Sequence, residues 1–316
     1  MQKKQLGRSG LEVAPLAFGG NVFGFTVDER QSFELLDKFL EKGFNLIDTA
    51  DSYSRWKPGN KGGESETIIG NWMKRKNNRD KVVLATKVGS DMGDGKKGLS
   101  KKYIFEEVEA SLKRLQTDHI DLYQSHFDDL DTPVSETIEA YSELIRQGKV
   151  KVIGASNLSP ERLVESLKFS EKNDLPAYQV LQPEYNLYNR QKFEKEYLQI
   201  CLEYNLGVIN YFPLASGFLT GKYRTEKDLS KSIRGDGIKK YLNARGQRIL
   251  VALDQVSKKH NSEPAAISLA WLMAQPSITA PIASATNVKQ LDTLLTSVDI
   301  KLDKDDVDLL NEASSY

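Results

Sequence analysis

The sequence predicts an α/β fold: a closed (β/α)8 barrel with an N-terminal β-hairpin and extra C-terminal helices, built as one domain over residues 1–316. Three observations carry this. Short apolar runs set between turn signals alternate with amphipathic stretches of helical period, which implies a mainly parallel sheet. Eight such units occur with no linker, low-complexity tract or short internal repeat between them. Eight units in roughly 300 residues match the usual size of a closed barrel. An open doubly wound sheet is the alternative, but Phe18-Gly19-Gly20-Asn21 does not supply the G-x-G-x-x-G of a dinucleotide-binding crossover.

Each unit has its own signals. Residues 5–20 read as a hairpin and then a strand ending at Phe18-Gly19-Gly20. Asp28 caps a helix over 29–41 that Gly43 stops, and the run Phe44–Ile47 is the next strand. A Gly-rich loop, 52–63, leads into a helix over 64–76. The strand at 81–87 precedes a polar loop, 89–98, long enough to line a site. A helix over 100–115 follows, with Ile104, Val108, Leu112 and Leu115 on one side, then a strand at 119–126 and a helix over 134–147 that Gly148 ends. Val150–Ser156 is a strand, and Ser159-Pro160 opens a helix at cap and first-turn positions. Strands at 178–182 and 206–211 flank a helix near 194–204. The stretch 213–240 reads as the longest irregular one, before helices over 243–259 and 264–274, a strand at 277–282, and helices over 288–297 and 304–314.

Composition narrows the function. Lys plus Arg and Asp plus Glu number 44 each, so no global charge favours nucleic acid or an anionic membrane. The single cysteine, Cys201, excludes an intramolecular disulfide framework, and its helical context reads as packing. Residues 1–10 lack the apolar core of a secretory signal, and no run of 18 apolar residues exists. A cytoplasmic protein is expected, and the scattered histidines give no metal-ligand spacing.

The chemistry gathers at strand ends. Asp48 stands where an apolar strand turns polar, with Tyr53 in the loop beyond. Lys87 and His126 end two later strands, and the separation of 39 positions is the same from Asp48 to Lys87 as from Lys87 to His126. One strand, one helix and two loops fill such an interval, so the three groups converge on the C-terminal face, where barrels place their chemistry. Singly, Asp48 reads as a turn or cap, Lys87 as a solvated strand end, Tyr53 as packing and His126 as an interior histidine. Together they form an acid–base set. A free phenol has a pKa of about 10. An adjacent ammonium, held charged by a carboxylate, is expected to lower it. A neutral imidazole opposite can polarise a carbonyl.

These residues carry a resemblance. Phe44-Asn-Leu-Ile-Asp-Thr-Ala-Asp-Ser-Tyr53, Leu112 to His126, Val150 to Asn157 and Val208 to Leu214 resemble, in order, the signatures of the aldo-keto reductases, including the potassium-channel β-subunit-like branch. The resemblance implies a catalytic tetrad on Asp48, Tyr53, Lys87 and His126, with Tyr53 the general acid in carbonyl reduction. It implies nicotinamide anchors on Ser156, Asn157 and Gln182, and a stacking ring on Tyr211. A cofactor wrap would follow over Pro213, Leu214, Ser216, Gly217, Leu219 and Lys222, with nucleotide contacts on Ser284, Thr286 and Gln290. NADP(H) is the implied cofactor, with NAD(H) the alternative. Ser284 and Gln290 stand where Lys and Arg are frequent in the family, Leu294 where Asn is frequent, and Lys289 is the nearby cation. The tail ends at Tyr316, soon after the last helix, which implies an open substrate mouth lined by Phe23, Trp56 and Phe127, with Met92 a further candidate.

The expected activity is NADP(H)-dependent reduction of a small-molecule aldehyde or ketone. A cofactor-binding regulatory subunit with little or no turnover is the competing reading. A barrel lyase or isomerase using Lys87 as a Schiff base is a third. Substrate identity, reaction direction and oligomeric state are not legible in the sequence.

Overall fold

A computed structural model describes residues 1–93, 95–231 and 235–316. Residue 94, in the predicted loop over 89–98, and residues 232–234, in the predicted irregular stretch, lie outside the described residues. Eight parallel strands form the sheet, in the order β10-β3-β4-β5-β6-β7-β8-β9. They are β3 (Ala17–Gly19), β4 (Leu46–Asp48), β5 (Val83–Val88), β6 (Ile120–Ser125), β7 (Val150–Ser156), β8 (Val180–Gln182), β9 (Gly207–Val208) and β10 (Ile282–Ala283). The ring is closed by the segment leading into β10. Thr279 N donates to the Val208 carbonyl at 2.9 Å, and Ile282 N donates to that of Asn210 at 2.9 Å.

Period-two alternation sorts the strand side chains. Leu46, Ala85, Leu122, Val152 and Val180 turn into the barrel and form an apolar plug with Leu6 and Val13. Those two belong to the hairpin of β1 (Lys4–Gln5) and β2 (Glu12–Val13), which covers the N-terminal end of the barrel. Gly7 makes this cover possible: a Cβ there would lie 2.4 Å from Gly207 N, and φ is +58°. The outward strand residues, Ile47, Leu84, Tyr123, Ile153 and Leu181, pack against the helices in a second, larger core.

The surrounding helices are α1 (Glu29–Glu41), α2 (Glu64–Lys76), α3 (Lys101–Leu115), α4 (Val134–Arg146), α5 (Pro160–Lys172), α6 (Leu198–Glu203), α7 (Ala244–Lys259), α8 (Pro264–Met273), α9 (Val288–Thr296) and α10 (Lys304–Ala313). Side chains cap several of their starts, among them Asp28 and Ser159, which the sequence marks as caps. Asp28, Ser100, Ser159 and Asn243 each accept a backbone N–H from the first turn with their side chains. Among the described residues no helix is long and apolar enough to cross a membrane.

The departures have physical causes. The helix expected near 194–204 opens as a π-turn, Phe193–Tyr197, so that Phe193 packs on Tyr185 with ring centroids 4.6 Å apart while Tyr197 Oη donates to the Leu158 carbonyl. The last strand is shorter than expected because Pro281 has no N–H for a ladder bond. The stretch expected to be irregular consists largely of 3-10 turns over Ala215–Thr220, Glu226–Lys231 and Gly235–Tyr241.

Candidate active site

One residue above the apolar plug in each strand's inward row, the barrel interior becomes polar. Asp48 ends β4, Lys87 lies in β5, Gln124 in β6 and Gln182 ends β8, and all four are fully buried. Gly154 of β7 leaves the space that Gln124 fills, since a Cβ there would sit 3.1 Å from Gln124 Cγ.

Lys87 Nζ is the hub. It donates to Asp48 Oδ2 at 2.7 Å, to the Thr49 carbonyl at 2.7 Å and to Tyr53 Oη at 2.9 Å, which employs all three ammonium protons. Asp48 Oδ1 accepts from Gln182 Nε2 at 2.9 Å and Gln124 Nε2 at 3.3 Å, so the carboxylate is held from both sides. The Tyr53 hydroxyl reaches Asp48 Oδ2 only at 3.4 Å. Tyr53 Oη already accepts from the ammonium, so among the described residues its own proton is tied only by this long contact to Asp48, and the residue lines the cavity.

The phenol is not acidified, contrary to the expectation. Burial pushes Tyr53 up to about 12, the Lys87 ammonium opposes that, and the Asp48 carboxylate adds to it. For Lys87, burial pulls downward, but Asp48 and Tyr53 outweigh it and hold the amine above its ordinary value. Tyr53 therefore keeps its proton near neutrality. When the proton leaves, the phenolate remains 2.9 Å from a cation.

His126 follows β6, and its backbone N donates to the Val88 carbonyl at 2.8 Å. Burial and the nearby Lys87 charge both depress its pKa well below the usual imidazole value, so the ring is neutral. Its edge meets Tyr53 with ring centroids 6.0 Å apart, and its face stacks on Phe127 at 4.7 Å. Nδ1 is buried with no hydrogen-bond partner among the described residues.

These groups stand at the end of a cavity of about 1070 Å³. Asp48, Tyr53, His126, Ser156, Asn157, Gln182, Tyr211, Pro213, Leu214, Ser216, Gly217, Lys222, Ser284, Thr286 and Gln290 all line it, as do Trp56 and Phe127. Several of these hold one another. Tyr211 Oη donates to Asn157 Oδ1 at 2.9 Å, Asn157 Nδ2 to the His126 carbonyl at 2.9 Å, and Ser156 Oγ to the Gln182 carbonyl at 2.8 Å. Ala215, Ser216 and Gly217 take left-handed φ of 47°, 57° and 99°, a strain that bends the chain around the cavity wall. On the far side Gln290 Oε1 accepts from Thr286 N and Oγ1, leaving its amide N–H2 outward, and Ser284 Oγ is held by Asn21 and the Gly19 carbonyl.

Three expected residues are placed elsewhere. Phe23 is fully buried and stacks on Phe18 at 5.3 Å, in the core beneath the site rather than in a substrate pocket. Leu219 is likewise buried in the outer core, where its backbone N donates to the Leu214 carbonyl. Met92 packs against Gly62, where a Cβ would meet its Cε at 2.3 Å, and lines neither cavity at this end of the barrel. Conversely, Gln124 brings a partner to Asp48 that the sequence reading passed over. Its place two residues before His126 in an alternating strand was the available signal.

Comparison with known proteins agrees with this geometry. A family model for the aldo/keto reductase family matches residues 15–315. The chain is 38% identical to the uncharacterized oxidoreductase YrpG of Bacillus subtilis, over 99% of this chain and 95% of that one. It is 33% identical to a probable voltage-gated potassium channel subunit beta of rice, Oryza sativa subsp. japonica, over 95% of this chain and 92% of that one. It is also 32% identical to the aldo-keto reductase YhdN of Bacillus subtilis, over 93% and 88% of the two chains. The chain therefore belongs to the aldo/keto reductase family and is an oxidoreductase of that family.

Proposed function

We propose that residues 1–316 form one functional unit, an NADP(H)-dependent reductase of aldehydes and ketones. The observation that carries this reading is the buried Asp48–Lys87–Tyr53 chain, with the phenol at the cavity wall beside a neutral His126. The family generally uses nicotinamide cofactors. The residues here fit one: a cavity of about 1070 Å³, an aromatic wall at Tyr211, and the left-handed run Ala215–Gly217 that curves the backbone around it. Ser156, Asn157 and Gln182 would hold the carboxamide, Tyr211 the ring, and Pro213 to Gly217 with Lys222 the pyrophosphate. A bound nicotinamide supplies a hydride.

The chain's own residues do the rest. His126 orients the carbonyl through a ring nitrogen. Tyr53 gives its proton to the carbonyl oxygen as negative charge develops there. Lys87 stabilises the phenolate that remains, and Asp48 keeps Lys87 charged and aimed. Beyond Lys222 at the pyrophosphate, Lys231 and Lys289 also line the cavity and can meet a further phosphate, which supports NADP(H) over NAD(H).

The Schiff-base reading does not suit Lys87, whose amine is charged and has all three protons engaged. The potassium-channel subunit among the relatives supports a second reading, cofactor binding with little turnover. NADPH consumption at 340 nm with 4-nitrobenzaldehyde separates the two. Turnover is expected in the wild type and a loss of roughly 10²–10⁴-fold in Tyr53→Phe, the range of a general acid. NADPH should still quench protein fluorescence in the variant. Quenching without wild-type turnover would favour the regulatory reading.

A further inference from the structure

A second cavity, of about 460 Å³, opens off the first beyond Tyr53, Trp56, His126 and Phe127, the four residues that line both. Its remaining walls are polar: Ser52, Arg55 and Asn60 on one side, Ser90 and Asp91 on the other. We propose that this annex is an anion subsite, with Arg55 binding a carboxylate or phosphate carried by the carbonyl substrate. The inference rests on the reductase reading and names its substrate class.

Arg55 is held in place. Its backbone lies in successive turns, with Arg55 N donating to the Ser52 carbonyl at 3.1 Å. Asn60 Nδ2 ties the turn down by donating to the Ser54 and Gly24 carbonyls at 2.9 and 3.1 Å. Across the annex Arg55 Nη1 donates to the Asp91 carbonyl at 3.0 Å, and Gly93 lies flat beneath the guanidinium, where a Cβ would come within 2.7 Å of Nη2. Among the described residues the guanidinium forms no ion pair and makes no hydrogen bond beyond that to Asp91, so its other N–H groups can receive a ligand. Asp91, the one acid among the described residues of the wall, uses its Oδ1 to accept from Gly93 N at 2.7 Å in its own turn.

Position gives this cation its meaning. Arg55 is two residues from Tyr53, so their Cα atoms are at most about 7 Å apart. A short carbonyl compound with an anionic far end can place its carbonyl at Tyr53 and His126 and its charge in the annex. Trp56 and Phe127, 51% and 46% exposed, flank the passage between the cavities and cover the carbon chain. Guanidinium and anion then pair through two parallel N–H···O bonds, a geometry that lysine does not reproduce.

The test is the ratio of kcat/KM for 4-oxobutanoate to that for its neutral methyl ester, and of glyceraldehyde 3-phosphate to glyceraldehyde, measured with NADPH. The wild type is expected to prefer the anionic member of at least one pair by roughly 10- to 100-fold, the worth of a hydrogen bond to a charged group. Which pair responds tells carboxylate from phosphate. Arg55→Gln should bring that ratio close to one, Arg55→Lys should restore part of it, and 0.5 M salt should reduce it. Wild-type ratios near one for both pairs, or a ratio that Arg55→Gln leaves intact, would overturn the proposal. If no aldehyde is reduced, 4-nitrobenzaldehyde included, the reductase reading has failed on its own account. The subsite is then judged with succinate and inorganic phosphate. Quenching of tryptophan fluorescence by either in the wild type but not in Arg55→Gln would support it, and its absence would overturn it.

Discussion

Strands β5 and β6 carry a buried acid–cation arrangement at each end, and the two behave oppositely. Near their N-terminal ends Asp121 is paired with Arg79 Nη2 at 2.8 Å and Lys151 Nζ at 2.7 Å, and it accepts the Leu84 N–H at 2.9 Å. Burial alone would raise this carboxyl, yet Arg79, Lys151 and that N–H hold it below the usual carboxylate range. Near the C-terminal ends the Asp48–Lys87 pair has no second cation among the described residues. It faces a phenol pushed up to about 12 and an imidazole pushed well below its ordinary value. One end stabilises charge. The other keeps two proton carriers neutral beside a fixed charge pair, which is how a site stores a proton for transfer.

The sharpest way to break the comparison is to remove one charge from the arrangement at each end. Lys87→Met leaves Asp48 buried with two amides and the distant Tyr53 hydroxyl as partners, and breaking a buried pair costs about 3–5 kcal/mol. It also removes the charge that receives the phenolate. We expect kcat to fall by roughly 10²–10⁴-fold, read by NADPH consumption, with a lower urea midpoint. A variant that kept its turnover would end the assignment of Lys87.

At the other end, Asp121→Asn should cost about 2 kcal/mol of stability and leave kcat within about twofold. The pH dependence follows from the sign of the shift. A carboxyl held below its unfolded value stabilises the fold above that value, about pH 4, and the contribution is lost as pH falls through the lower, folded one. Urea unfolding of wild type and variant should therefore differ at pH 7 and converge in acid. An equal loss of kcat in Asp121→Asn would erase the distinction between the ends.

What the sequence revealed follows the same divide. The equal spacing of Asp48, Lys87 and His126 pointed to one end of the barrel because each residue stands at or beside the end of a strand, and strand periodicity is a local property. Caps were equally local: Asp28 and Ser159 marked their helices by their own side chains. What stayed hidden depended on distant neighbours. Phe23 stands in a loop like a pocket residue, and only packing on Phe18 reveals it as core. The π-turn at Phe193–Tyr197 answers to Tyr185 and to the Leu158 carbonyl, each remote in sequence or across a turn. The direction of the Tyr53 shift was misjudged because charge proximity can be read from motif spacing, whereas burial is a property of the whole barrel.

His126 sharpens the comparison at an intermediate scale. Its folded value lies below the unfolded value of about 6.5, so the unfolded chain binds more protons in that interval. Its contribution is present above pH 6.5 and is lost as pH falls toward the folded value. His126→Gln, which keeps a neutral donor, should lose about tenfold in kcat and remove part of the acid destabilisation seen by urea between pH 7 and pH 5.5. Wild-type kcat should show no inflection near pH 6.5, and an inflection that vanished in His126→Gln would mean that the imidazole is charged in the working enzyme.

The smallest expected effect is at the nucleotide end of the cavity, where the charge logic is unfinished. Gln290 spends its carbonyl on Thr286 and offers an incoming phosphate only an amide, while Lys289, exposed beside it, is free of ion pairs among the described residues. Gln290→Arg would place a fork of donors there, but on an exposed surface, where a charge pair gains about 1 kcal/mol at most. We expect about fivefold tighter NADPH binding by fluorescence quenching, unchanged NADH binding and a steeper salt dependence. Tightening of NADH by the same factor would mean that the new arginine meets the shared pyrophosphate instead. On the proposed reading, a preference for the 2′-phosphorylated cofactor would then have to come from Lys231 across the cavity.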